Sequence, residues 1–355
     1  MATRFDADRM EVIGQPLALV ENVIQTFCNH ANYSTAAGQY GLSETGSLIY
    51  AAGGITPDFK NSLIWVDQKG IEQLVTSLQF SFFAPRLSPN GQKIAYTTMG
   101  GGDHPVWVFD LGRGTNSRLT SEGIAGSPMW TPDGERLIFS WRKSTEVSLF
   151  WQPYDGSTPM ERLTAYDFSQ GLCRSLSPDG KTMAVMKSQQ GKGNDIVLLD
   201  IRSGSAKTFL NSQSSIQYLE FSPDGRWIAY SSNESKRAEV YVRPIPGPGM
   251  KYQISIEGGT EPLWARNGKQ LFYRWQDQVW VVDVQTNSSF AVSKPRLLFE
   301  KPGYGYSVPM RNWDLSLDGR RFLMVKLDQR KPTPVTEMTL VQNWFEELKQ
   351  RVPVK

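Results

Sequence analysis

Residues 221–225 read FSPDG and residues 176–180 read LSPDG. Five further versions of the phrase occur: WTPDG from 130, LSPNG from 87, LSLDG from 315, WARNG from 264 and LSETG from 42. The closing glycines are Gly46, Gly91, Gly134, Gly180, Gly225, Gly268 and Gly319, spaced by 45, 43, 46, 45, 43 and 51 residues. A period near 45 is the length of a four-stranded propeller blade. The phrase is turn chemistry. Proline presets φ at the second position of a type I turn, Asp or Asn suits the third, and glycine takes the left-handed conformation that returns the chain to a strand. All seven copies keep the glycine, so one turn geometry is expected throughout.

The flanks of each turn read as strands. IQYLEF and EPLW precede turns; RWIAY, QKIAY, RLIFS and KQLFY follow them. A third run comes next (LIWVD, VWVFD, IVLLD, VWVVD) and then a short fourth (EQLVT, SRLT, ERLT). Four strands in each of seven units predict an all-β, seven-bladed β-propeller of antiparallel blades. One domain is expected over 1–355: a closing strand and entry loop in 1–30, blades in 31–343, and a helix and tail in 344–355. Neighbouring blades cover each other's apolar faces, and ring closure removes the exposed ends. Trp107, Trp130, Trp264 and Trp280 are accordingly expected between blades. The N-terminal QPLALVE resembles the KPRLLFE of the sixth unit, so it is expected to complete the last blade beside C-terminal strands. WFEELKQRV reads as an amphipathic helix with Trp344, Phe345, Leu348 and Val352 on one side, sealing one face of the ring.

Composition narrows the function. The 355 residues carry 38 Lys and Arg against 35 Asp and Glu, a net charge of +3, too balanced for a nucleic-acid protein on electrostatic grounds. No run approaches a membrane span, and the first residues lack the apolar core of a signal peptide. Cys28 and Cys173 form no CxxC pair, which argues against a disulfide framework. A monomer is expected.

The repeated Ser-Pro-Asp-Gly hairpin is similar to that of the TolB-like propellers, over nearly the whole chain. FSPDGRWIAYSSNESKRAEVYVRPIPGPG, GKQLFYRW, DGRRFLMVK and VQNWFEELK further resemble the propellers that follow kinase domains in large bacterial serine/threonine kinases. The resemblance implies a regulatory or sensing module, extracytoplasmic if attached to a membrane-anchored kinase and otherwise cytoplasmic. It also suggests a fragment of a longer protein, or a stand-alone relative of one. HRD, DFG and G-x-G-x-x-G are all missing, so phosphoryl transfer is excluded.

Other chemistry is sparse. There is no G-x-S-x-G elbow, and the two histidines, His30 and His104, fall in different units and read as loop residues. Two histidines cannot build a histidine-rich metal site, and neither a metal nor a cofactor is expected. Glu220, Glu261 and Asp314 precede their turns by four to seven residues and can approach the axis. As a catalytic set they would serve a glycoside hydrolase or lyase; the competing reading pairs them with Arg86, Arg174 and Arg311. Rim loops carry Trp141, Tyr166, Phe168, Trp275, Tyr304 and Tyr306, with Arg274, Arg142, Lys143, Lys192, Lys236 and Arg237 among them. The expected site therefore takes a small molecule, sugar or peptide at the central mouth through Arg86, Trp141, Tyr166, Arg174, Arg274, Trp275, Tyr304, Tyr306 and Arg311. A purely protein-binding scaffold is the third possibility.

Overall fold

All seven phrases join antiparallel strands in a computed structural model of the chain, and their glycines have φ between +69° and +85°. The structure describes all residues except 1, 22, 27–37, 53–54, 57–59, 99–102, 144–145, 165, 167–170, 190, 192, 248, 287–289, 307–309, 328–334 and 353–355. In five turns the Ser or Thr of the phrase explains its own presence. Ser222 Oγ donates to Asp224 Oδ1 at 2.5 Å and accepts the Trp227 N–H at 3.0 Å. The same pair of bonds forms at Ser88, Thr131, Ser177 and Ser316. These bonds satisfy turn donors that would otherwise compete with the strand ladder. The turn opened by Ala265 lacks the hydroxyl and keeps the side-chain bond from Lys269 N–H to Asn267 Oδ1.

One turn departs from the common geometry. In six, the residue that opens the turn donates its N–H to the carbonyl five residues on, as Ser222 does to Trp227. Ser43 donates to Ser47, only four on. The LSETG bend is thus one residue tighter.

That difference marks a division of the chain. Lys60–Asp328 form one compact unit; Met1–Phe59 with Gln329–Lys355 form another. In the larger unit six antiparallel sheets of four or five strands follow one another. The first runs from Phe82 to Arg118, the second from Ile124 to Arg162, the third from Gly171 to Leu210, the fourth from Ile216 to Gln253 and the fifth from Thr260 to Glu300. The sixth is composite: Trp313–Leu315 and Arg321–Leu327 pair with Asn61–Asp67 and then Glu72–Leu74.

Seven phrases therefore yield six such sheets among the described residues. LIWVD and EQL are third and fourth strands as expected, but they complete the hairpin of the last phrase, not of the first. The hairpin of the first phrase (Tyr40–Leu42 and Leu48–Tyr50) pairs instead with Thr339–Val341 in the smaller unit. QPLALVE does not join C-terminal strands: Glu11–Leu17 pairs with Ala2–Asp6 as a two-stranded hairpin. The helix forms over Trp344–Arg351, with Trp344 N–H donating to Gly46 O at 2.7 Å.

The apolar core of the larger unit lies between sheets. Met129, Ile138 and Leu149 of the second sheet pack on Met183, Val185 and Val197 of the third. Equivalent clusters join the third to the fourth, the fourth to the fifth and the fifth to the sixth. Leu63, Trp65 and Leu323 of the sixth pack on Phe82, Ile94 and Tyr96 of the first, and the first packs on the second through Ala95, Val108 and Phe139. An all-β fold whose antiparallel sheets each cover the next is consistent with a propeller.

Candidate functional site

In five of the six sheets the first strand carries a bulge near the residue four before the turn. Ala84, Tyr218 and Glu261 occupy this position in three sheets with φ of +49°, +55° and +51°, beside register shifts in the strand pairing. A bulge re-aims the residues that follow it. Two residues further on, Arg86, Met129, Ser175, Glu220, Leu263 and Asp314 all line one cavity of about 480 Å³. Arg174 and Arg311 enter from neighbouring positions, and Pro89, Pro132, Pro178, Pro223 and Arg266 come from the turns themselves. The cavity thus reaches the face on which the repeated phrases lie.

Arg311 organises its polar wall. Its guanidinium pairs with Glu220, lies 3.5 Å from Asp314 Oδ1 and donates through Nε to Trp313 O at 3.0 Å. Asp314 also accepts the Leu87 N–H at 2.7 Å and the Leu315 N–H at 2.9 Å. Arg86 donates to two carbonyls, Pro85 O at 2.7 Å and Arg311 O at 2.9 Å. Burial presses Arg311 below its ordinary value, the Arg86 charge adds to this, and Asp314 opposes it; both guanidinium groups stay charged at neutral pH. Arg266, where four other turns have proline, donates to Ser88 O at 3.4 Å.

Glu261 is elsewhere. It is fully buried, pairs with Arg274 at 2.9 Å, accepts the Asn312 N–H at 2.8 Å and does not line the cavity. Arg274 further donates to Gly305 O and Tyr304 O. Burial pushes the Glu261 carboxyl up, while Arg274 pulls the other way.

Of the residues expected to bind, Arg86, Arg174 and Arg311 meet at the cavity with Glu220 and Asp314; the rest do not. Tyr304 is buried in the cluster between the fifth and sixth sheets, its hydroxyl 2.8 Å from Glu72 Oε1. Tyr306 stacks on the Arg274 guanidinium at 3.8 Å. Trp141 donates to Glu122 O at 3.0 Å and sets its ring against Phe150; Tyr166 packs beside the cluster of the second and third sheets. Trp275 covers Gly258, where a Cβ would lie 2.1 Å from its ring. None of these five aromatics lines the cavity. Phe168, Lys192, His30 and Cys28 lie outside the described residues. Sequence reasoning missed the turn prolines and Arg266 as cavity groups. Their signal was present: they are the third residue in five of the seven phrases.

No cluster of His, Cys, Asp and Glu able to hold a metal occurs among the described residues, nor is any helix there long and apolar enough to cross a membrane.

The comparisons agree with a propeller fold and reach no further than part of the chain. Residues 58–194 match the family described as TolB beta propeller domain. A TolB candidate from Agrobacterium tumefaciens superposes with a TM-score of 0.62 at 18% identity, covering 77% of this chain and 99% of that one. An oligogalacturonate lyase solved with manganese gives a TM-score of 0.51 at 11% identity over 86% of this chain and 81% of that one. In sequence, an uncharacterized peptidase, YuxL of Bacillus subtilis, is 28% identical over 169 residues, 44% of this chain. The matched stretch spans only 24% of that relative's length.

Proposed function

We propose that the larger unit is a six-bladed, TolB-like binding propeller whose ligand occupies the cavity on the turn face. The first phrase, LSETG, belongs to the smaller unit and is not counted among these blades. The observation that carries this reading is the engagement of both cavity carboxylates by Arg311. A retaining or inverting glycosidase needs one carboxylic acid to give a proton and a second carboxylate free to attack or to activate water. Carboxylates committed to a guanidinium hold their charge and lose that freedom. The likeness to the lyase is one of fold, and none of the relatives named above is a kinase, so the kinase association forms no part of the proposal.

The test is a ligand screen by thermal shift on the purified chain and on Ser175→Trp, which fills the cavity from its wall. Binding seen in the parent and lost in the variant, with both folded by circular dichroism, supports the reading. Turnover of a glycoside or uronide substrate that disappears in Glu220→Gln would replace it with the enzyme.

A further inference from the structure

We infer that the ligand of this cavity is an organic carboxylate held by arginine side chains, a refinement that rests on the cavity being the binding site. Charge is the first argument. Arg86, Arg174, Arg266 and Arg311 line the cavity against Glu220 and Asp314, four positive groups against two negative ones. Both carboxylates are already engaged by Arg311, and Asp314 is further occupied by two backbone N–H groups. The hydrogen bonds of Arg86 go to carbonyls, which carry no net charge. Cations held away from water are stabilised when a counter-anion arrives, and the guanidinium fork matches a carboxylate with two parallel bonds.

The second argument is shape and polarity. The walls between the charges are apolar: Leu87, Leu176, Phe221, Leu263 and Trp264 among them. At about 480 Å³ the cavity falls in the range that small organic ligands fill. An inorganic dianion would leave those walls wet. A single carboxylate on an apolar body satisfies both parts. Arg266 lines the cavity from its turn and is held there by one long bond to a carbonyl.

Such a carboxylate can be that of a free small acid or of a peptide C-terminus. Acid and amide pairs separate charge from shape. N-acetyl-leucine and N-acetyl-phenylalanine are titrated beside their amides, and a tetrapeptide ending in leucine is titrated with a free and an amidated terminus. Inorganic phosphate is run at matched ionic strength, and binding is followed by calorimetry on the full chain. Each acid is expected to bind at least tenfold more tightly than its amide, with affinity falling as salt rises. The loss should be tenfold or more in Arg86→Gln and in Arg174→Gln, and absent in Arg202→Gln, an exposed arginine of the third sheet. Two cavity variants guard against one that misfolds. Preference for the free-ended tetrapeptide over the small acids assigns the chain terminus as source; the reverse assigns a free acid.

Amides that bind as well as acids, phosphate that binds more tightly than either, or acids that do not bind at all would overturn the carboxylate while leaving the cavity reading to its own screen. A screen in which Ser175→Trp changes nothing would remove the cavity itself.

Discussion

Arg274 and Arg311 both pair with carboxylates on the first strands of sheets in the larger unit, and they do so in opposite surroundings. Arg274 is 2% exposed and Glu261 0%. That pair is held by carbonyls of Gly305 and Tyr304, by the Asn312 N–H and by the Tyr306 ring. Arg311 is 13% exposed, holds two carboxylates and faces a cavity. The first pair fixes the fifth sheet on the sixth; the second leaves charge where a ligand can meet it. Chemical type does not separate a structural ion pair from a binding one. What separates them is whether hydrogen-bonding capacity is used up by the fold.

The comparison breaks most visibly at the sealed pair. Arg274→Met leaves Glu261 buried without its cation, and removal of one partner of such a pair costs about 3–5 kcal/mol. Urea unfolding should show a loss of that size, and the double variant Arg274→Met/Glu261→Leu should regain much of it. A loss no larger than that of a surface substitution would mean that the two pairs do not differ in the way described. At the cavity, Arg311→Met should cost less, about 1–3 kcal/mol, because Glu220 and Asp314 keep access to water or to backbone donors. Its main effect should be on binding.

A third network lies between these extremes and gives the comparison a pH axis. Glu72 of the sixth sheet meets Lys326, Lys301 at 3.0 Å and the Tyr304 hydroxyl at 2.8 Å. Burial raises its carboxyl, but these three partners outweigh it and bring the value to about 2. A carboxylate depressed in the folded state adds stability above its unfolded value, and that stability is lost as pH falls toward the folded one. The parent should therefore lose this contribution between about pH 4.5 and pH 2, and Glu72→Gln should show a flatter acid limb in melts across that window. An unchanged limb would place Glu72 among ordinary exposed carboxylates.

The sequence made the local parts of this fold readable and obscured the distant ones. A five-residue turn is decided by its own residues, so all seven bends could be placed. Which strands share a sheet is decided by pairing across 250 residues or more, as between Asp67 and Arg321. Nothing in LIWVD says that it will complete the last hairpin and not the first. QPLALVE misled for the same reason, since likeness to KPRLLFE reports strand propensity and not partner. At the site, Glu220, Asp314 and Arg86 could be found because a fixed distance from the turn sets their direction, and Arg174 and Arg311 because they lie within a few residues of that position. Trp141, Tyr304 and Tyr306 could not be judged, since an aromatic near a loop reads alike whether packed or presented.

The smallest expected effect tests the turns, on which that reading rests. Gly268 has φ +69°, and a Cβ there would meet nothing within 4 Å. Gly268→Ala should therefore cost only the left-handed strain, about 1 kcal/mol. Gly91 has φ +70°, but a Cβ on it would lie 2.9 Å from Leu317, the residue of the LSLDG turn that stands where other copies have proline. Gly91→Ala must bear the same strain and displace a neighbouring turn as well. The difference between the two melts measures how tightly one bend is fitted against the next. It should shrink in Gly91→Ala/Leu317→Ala, where the obstructing side chain is gone. Equal losses at both glycines would show that the bends stand alone, and that their regular spacing does not come from contact between them.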